Sequence, residues 1–194
     1  MTTLAELVDV IDRHNFVVLD TETTGLRNAE VCEIAVCSRL GDMHIDTLVH
    51  TQQPIPRQAT DIHGITDEMV RHKPNWITMN KLLSHQLEGK DIVIYNADYD
   101  ISVIENTCER WGIAKAERLS FADRTYCAMT AYAEFNGDWS DYHRNYSYVK
   151  LTTAYQRTVP NPKNAFRPHR ASGDVMMTYL LCKELQKIMQ SRQQ

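Results

Sequence analysis

The chain has no Cys-x-x-Cys, and its five cysteines (Cys32, Cys37, Cys108, Cys127, Cys182) are scattered and odd in number. That pattern excludes a disulfide frame and a thiolate zinc site, and it reads as reduced thiols in a cytoplasmic protein. No stretch approaches the ~20 apolar residues of a membrane helix. The opening MTTLAELVDVIDRHN has neither a basic leader nor a long apolar run, so it does not read as a signal peptide. Repeats, low-complexity tracts and linkers are also missing, so one domain over residues 1–194 is expected, with residues 1–14 as an added N-terminal helix. The hydrophobic content of 43% and charged content of 24% are those of an ordinary globule.

The last absence is local. From Tyr142 to Gly173 there is no Asp or Glu, while Arg144, Lys150, Arg157, Lys163, Arg167 and Arg170 all fall there. The segment is +6 in a chain of net charge −4, which leaves −10 for the remainder. Such a tract is either a solvated face or the electrostatic footprint of phosphate binding.

What is present follows the periods of α and β structure. Thr3 and Glu6 form a capping box ahead of Leu4, Leu7, Val8 and Ile11 at helical spacing. Phe16 to Leu19 reads as the first strand, and Val31 to Leu40 and Met43 to His50 as a hairpin turning at Gly41-Asp42. QQPIPRQATDIHGIT reads as loop, after which Thr66 is placed to cap a short helix. A helix around Lys81 to Leu87 leads into the buried strand DIVIY. Helices are then expected over Asp98 to Trp111, Tyr126 to Glu134, Val149 to Arg157 and Ala171 to Gln190, with a short strand in LSFAD. FNGDWSDYHRNYS reads as irregular. The sum is an α/β fold with a mixed sheet, its first three strands antiparallel and later ones parallel, flanked by helices.

Within this frame FVVLDTETTGL is unusual, because a buried run ends in two acids, Asp20 and Glu22, that share one face of a strand. Either the strand end turns into solvent or a cation cancels the repulsion. In the last helix, Asp174 extends the apolar stripe Met177, Leu181, Leu185 and Ile188. A first-turn acid can be a helix-dipole partner, but no Lys or Arg shares this stripe. Asp100 likewise opens the helix after DIVIY. Acids at the end of one strand and the start of two helices tend to meet at one edge of an α/β sheet. Four carboxylates without Cys or paired His suit two Mg²⁺ ions, or Mn²⁺ in their place, and phosphodiester hydrolysis. His169, five residues before Asp174, is a surface histidine on its own and a general base beside such a site.

On these residues the chain resembles the DEDDh 3′→5′ exonucleases, a ribonuclease-H-like family that includes the proofreading epsilon subunit, exodeoxyribonuclease X and ribonuclease T. LDTETTGL, YNADYD and HRASGD match its three motifs, and EIA, IHGIT and KLTTAYQ look like further family segments. The resemblance implies that Asp20, Glu22 and Asp174 bind one metal, that Asp20 binds the second with Asp100 close by, and that His169 is the base. It implies that the main chain at Thr23 and the side chain of Leu26 meet the terminal nucleotide, with His63 and Ile65, and that Asn96 and Tyr99 line the site. The expected function is Mg²⁺-dependent removal of nucleoside 5′-monophosphates from single-stranded 3′ ends, DNA favoured. Trimming of RNA ends is the alternative within the class, and a nucleic-acid-binding scaffold without turnover is the alternative outside it. Three departures from the family pattern stand out: Tyr95 before the Asn, the extra opening helix, and the aromatic loop Phe135 to Tyr148. That loop's rings either pack as a lid or stack on bases. The absence of sequence beyond the last helix favours a free-standing nuclease.

Overall fold

The computed structural model describes residues 1–119, 124–162 and 166–192. The capping box forms as the sequence predicts, with the Glu6 N–H donating to Thr3 Oγ1 (3.2 Å) and the Thr3 N–H to Glu6 Oε2 (2.8 Å). It opens helix α1, Leu4–Asp12. Strands β1 (Phe16–Thr23), β2 (Val31–Ser38) and β3 (Met43–Leu48) follow as antiparallel neighbours. Helices α2 (Arg57–His63), α3 (Asp67–Val70) and α4 (Trp76–Leu87) lead to β4 (Asp91–Ile94), which lies parallel to β1. Helix α5 (Ala97–Arg110) and strand β5 (Thr125–Cys127), parallel to β4, complete a sheet of order β3-β2-β1-β4-β5. The chain continues through α6 (Ala128–Asn136), a two-stranded ribbon β6 (Trp139–Ser140) and β7 (Asn145–Tyr146), α7 (Leu151–Thr158) and α8 (Ala171–Ser191).

Alternation along β1 sorts the core into two layers. Val17 and Leu19 pack with Trp76, Met79 and Leu83 of α4 and Val103 and Ile104 of α5. Phe16 and Val18 pack with Leu7 and Ile11 of α1, Ala131 and Tyr132 of α6, and Val175, Leu181 and Leu185 of α8. Asp20 and Glu22 share the parity of Phe16 and Val18, so they face α8. The opening helix is thus a piece of the core. It packs on α6 and α8, and its first N–H, on Leu4, donates to the Glu134 carboxylate (2.8 Å).

Local pattern misleads in five places. QATDIH is helical rather than loop, because Pro56 suits a helix start and Gly64, at φ 78°, closes the end. Thr66 makes no side-chain cap bond; its helix α3 instead has Asp67 accepting from the Ile55 N–H (2.8 Å). Helix α4 begins at Trp76, not Lys81, because Asn75 caps it by accepting from the Thr78 N–H (3.0 Å). Tyr126 and Cys127 are strand, not helix, since they pair with Val93 and Ile94 of β4, a long-range ladder that outweighs the local pattern. Of the strand expected in LSFAD, Ser120–Asp123 lie outside the described residues. The irregular FNGDWSDYHRNYS contains the β6–β7 ribbon.

Candidate active site

The sheet brings three of the acids together. Carboxylate oxygens of Asp20, Glu22 and Asp174 lie within 4.8 Å of one another, two on β1 and one on the first turn of α8. Asp100, on the first turn of α5, is 4% exposed and approaches from beside β1. Its Oδ1 accepts from the Thr21 N–H (3.1 Å) and the Thr21 hydroxyl (2.7 Å). Thr21 points away from α8, so it holds Asp100 near the acid pair without joining it. Sequence reasoning did not single out Thr21.

The electrostatics are those of an uncancelled cluster. Burial, then the Asp100, Asp174 and Glu22 charges, push the Asp20 carboxyl well above the usual range. Glu22 is pushed up to about 8, first by burial and then by Asp174. Asp100 and Asp174 are raised to about 7, burial again leading. Within the cluster, the buried Asp174 Oδ1 has no hydrogen-bond partner. Like-charged carboxyls and an orphaned buried acceptor, with no thiolate or imidazole in the cluster, fit a hard divalent cation that takes oxygen ligands.

His169 is exposed and stands in the left-handed region at φ 58°, just ahead of α8. Its main chain favours the charged form of the Asp174 carboxyl, which opposes the effect of burial. The loop lies so close to the helix that a Cβ on Gly173 would sit 2.2 Å from the Arg167 carbonyl oxygen. Only glycine permits that approach.

The start of α8 is fixed by a pair that sequence reasoning passed over. Glu33 lies opposite Glu22 in the β1–β2 ladder and is 1% exposed. It accepts from Arg170 Nε (3.0 Å), again from Arg170 Nη2, and from the Ala171 N–H (2.9 Å). The signal was an acid interrupting the apolar run VCEIAVC. Removing one partner of a buried pair leaves the other charge uncompensated, at a cost of about 3–5 kcal/mol. Arg170→Met is therefore expected to lower the melting temperature sharply, and adding Glu33→Gln should recover most of it. No recovery in the double variant would show that Arg170 acts through its stem.

The other predicted residues form the rim. Leu26 is 86% exposed beyond the end of β1. The Tyr99 hydroxyl bridges Thr23 Oγ1 and the Gly25 carbonyl, both at 2.7 Å, and so pins the loop that carries Leu26. Asn96 is exposed at the start of α5, its side chain unused as a cap. His63 and Ile65 are buried rather than presented. His63 Nδ1 accepts from the Ile65 N–H (2.9 Å), so Nε2 carries the proton toward the Thr23 carbonyl (3.2 Å). Burial holds that imidazole below the usual range, in its neutral form. Ile65 packs with Cys32, Ile55, Ala59 and Val70. His63 thus supports Thr23, and the Ile65 main chain holds the His63 ring in place.

Residues 17–182 match the RNase_T family model, whose description is exonuclease. The chain belongs to this exonuclease family. The family member "uncharacterized exonuclease CP81" of Escherichia phage 186 is 38% identical over 162 residues, 82% of this chain and 82% of that one. DNA polymerase III subunit epsilon of Pasteurella multocida is 27% identical over 100 residues, 46% of this chain and 40% of the subunit. Among solved structures, exonuclease X in complex with 5′ overhanging duplex DNA superposes with a TM-score of 0.61 at 24% identity, covering 92% of this chain and 93% of that one. The nuclease domain of 3′hExo, a DEDDh family member bound to rAMP, gives 0.63 at 13% identity, with 92% of each chain covered. At such identities the likeness is one of fold. The exonuclease shares their mixed five-stranded sheet flanked by helices. Among its described residues no helix is long and apolar enough to cross a membrane.

Proposed function

We propose that this exonuclease hydrolyses single-stranded nucleic acid, DNA in preference to RNA, from the 3′ end and releases nucleoside 5′-monophosphates. The observation that carries the reading is the Asp20, Glu22 and Asp174 cluster with its orphaned Asp174 oxygen, beside Asp100 and preceded by His169. The complexes of exonuclease X with 5′ overhanging duplex DNA and of E. coli exonuclease I with a dA16 oligonucleotide support the choice of DNA.

Asp20, Glu22 and Asp174 would hold one Mg²⁺, and Asp20 with Asp100 a second. When bound, the ions supply the positive charge that stabilises the attacking and leaving oxygens. The chain's own residues do the rest. Leu26 and the main chain at Thr23 seat the terminal nucleotide, with Asn96 and Tyr99 lining its other side. His169 takes a proton from water as its oxygen bonds to phosphorus. The P–O3′ bond breaks, and the leaving O3′ takes a proton from solvent, so the shortened strand ends in a 3′-hydroxyl. Thr21 and Arg170 act by position: Thr21 aims Asp100, and Arg170 anchors α8 on Glu33.

Matched DNA and RNA oligonucleotides, labelled at the 5′ end and digested with Mg²⁺, test the reading. A ladder shortening from the 3′ end with mononucleotide product is expected, faster on DNA. Faster loss of the RNA ladder would make the chain an exoribonuclease. No shortening of either, with binding retained, would make it a scaffold.

Gly173→Ala probes the close approach. Alanine gains about 1 kcal/mol over glycine within a helix, so the helix alone would not suffer. The displaced Arg167 carbonyl would carry the His169 loop outward, and a misplacement of about 1 Å costs on the order of 10²-fold in rate. The expected outcome is a kcat drop of that order together with a lower melting temperature, because the Arg167 backbone must give way. An unchanged kcat would show that the loop yields without moving His169.

A further inference from the structure

The β6–β7 ribbon carries rings that the core does not use. Trp139 pairs with Tyr146 and Ser140 with Asn145, and among the described residues the ribbon belongs to no larger sheet. Tyr142, at its tip, is 90% exposed, and Trp139 and Tyr148 are about half exposed (52% and 51%). The Trp139 and Tyr146 rings meet edge to face at 5.1 Å, so they brace one another rather than seal the body as a lid. None of the three exposed rings belongs to the apolar clusters of the core.

The ribbon is anchored beside the active site. The Tyr95 hydroxyl donates to the Val149 carbonyl (2.6 Å), where the ribbon runs into α7. Tyr95 directly precedes Asn96, which opens the helix bearing Tyr99 and Asp100. Tyr148 shares a cavity wall with Ala97 and Asp98 on the first turn of that helix. The acid-free tract begins at the ribbon tip, with exposed Arg144 and Lys150 on either side of Tyr146 and Tyr148. The nearest ribbon acid, Asp141, is engaged by the Trp139 indole N–H (3.0 Å).

We infer that the ribbon is an arm for the single strand upstream of the scissile phosphate. Trp139, Tyr142 and Tyr148 stack on bases, and Arg144 and Lys150 meet the phosphates. Exposed rings interleaved with cations recognise unpaired bases without reading their sequence. A duplex would keep its bases stacked on one another, away from these rings. The inference rests on the exonuclease reading above but concerns nucleotides that are not being cleaved, so strand length is its signature.

The test compares an oligonucleotide of about twenty nucleotides with a trinucleotide, each ending in the same 3′ nucleotide. Tyr142→Ala, at a fully solvated position, and Trp139→Ala should each reduce the kcat/KM advantage of the longer strand by roughly 5- to 150-fold. Arg144→Gln and Lys150→Gln should each flatten the salt dependence of single-strand binding by about 0.7 in log–log slope. In the inactive Asp20→Asn protein, the longer strand should quench tryptophan fluorescence, and Trp139→Phe should remove that quenching. The fluorescence arm needs no turnover, so it stands even if the parent cleaves nothing. An unchanged length advantage in Tyr142→Ala and Trp139→Ala, with quenching unaffected by Trp139→Phe, would overturn the inference and leave the rings to a protein partner or a second copy.

Discussion

Asp20→Asn is expected to abolish turnover and, in EDTA, to raise the melting temperature. Its carboxyl stands among Glu22, Asp100 and Asp174, each of whose charges raises its pKa. Removing one charge relieves repulsion that otherwise only a cation cancels. The pH dependence follows from the raised values. Asp100 and Asp174 near 7, and Glu22 near 8, hold protons that the unfolded chain would have released at about pH 4. Between these limits the folded state binds more protons than the unfolded one. The contribution of these groups to stability is therefore full below about pH 4 and is lost as pH rises through 7 to 8. In EDTA the parent should melt progressively lower from pH 5 to pH 8, and Asp20→Asn should show a shallower decline. Mg²⁺ at about 100 times its Kd should return about 2.7 kcal/mol to the parent, roughly 5–10 °C in a chain of this size. Asp20→Asn should respond far less. A variant that melted well below the parent in EDTA would make the acids structural and the site wrong.

His169→Asn separates base from ligand. Asparagine tolerates the left-handed backbone that His169 adopts at φ 58°, so the loop is kept while the imidazole is lost. The side chain is exposed and no part of the core, so the fold should be unaffected. A positioned general base is worth roughly 10²–10⁴-fold, and kcat should fall by that factor with KM little changed. The acid limb of the kcat–pH profile should flatten, because it reports protonation of the base. The Mg²⁺-induced rise in melting temperature should match the parent's. If that rise shrank along with kcat, the imidazole would be a metal ligand and the proton would have to leave by another route.

Much of the molecule is legible from the sequence because the signals are local. A period of two places Asp20 and Glu22 on one strand face, and a period of 3.6 aligns Asp174 with the buried stripe of α8. The capping box at Thr3, the hairpin at Gly41 and the order of strands and helices are likewise encoded within a few residues. Those patterns, with the motif resemblance, determined the α/β class, the carboxylate set and the candidate base. What tertiary structure alone decided depends on residues distant in sequence. Tyr126 and Cys127 became strand because β4 offered them a ladder. His63 and Ile65, beside the terminal nucleotide in the motif reading, are buried, because His63 reaches the Thr23 carbonyl and Ile65 packs on Cys32 of β2. Glu33 meets Arg170 across 137 positions, and Thr21 meets Asp100 across 79. No local period encodes such partners. They exist because a buried charge must find a counter-charge or a donor wherever the folded chain brings one.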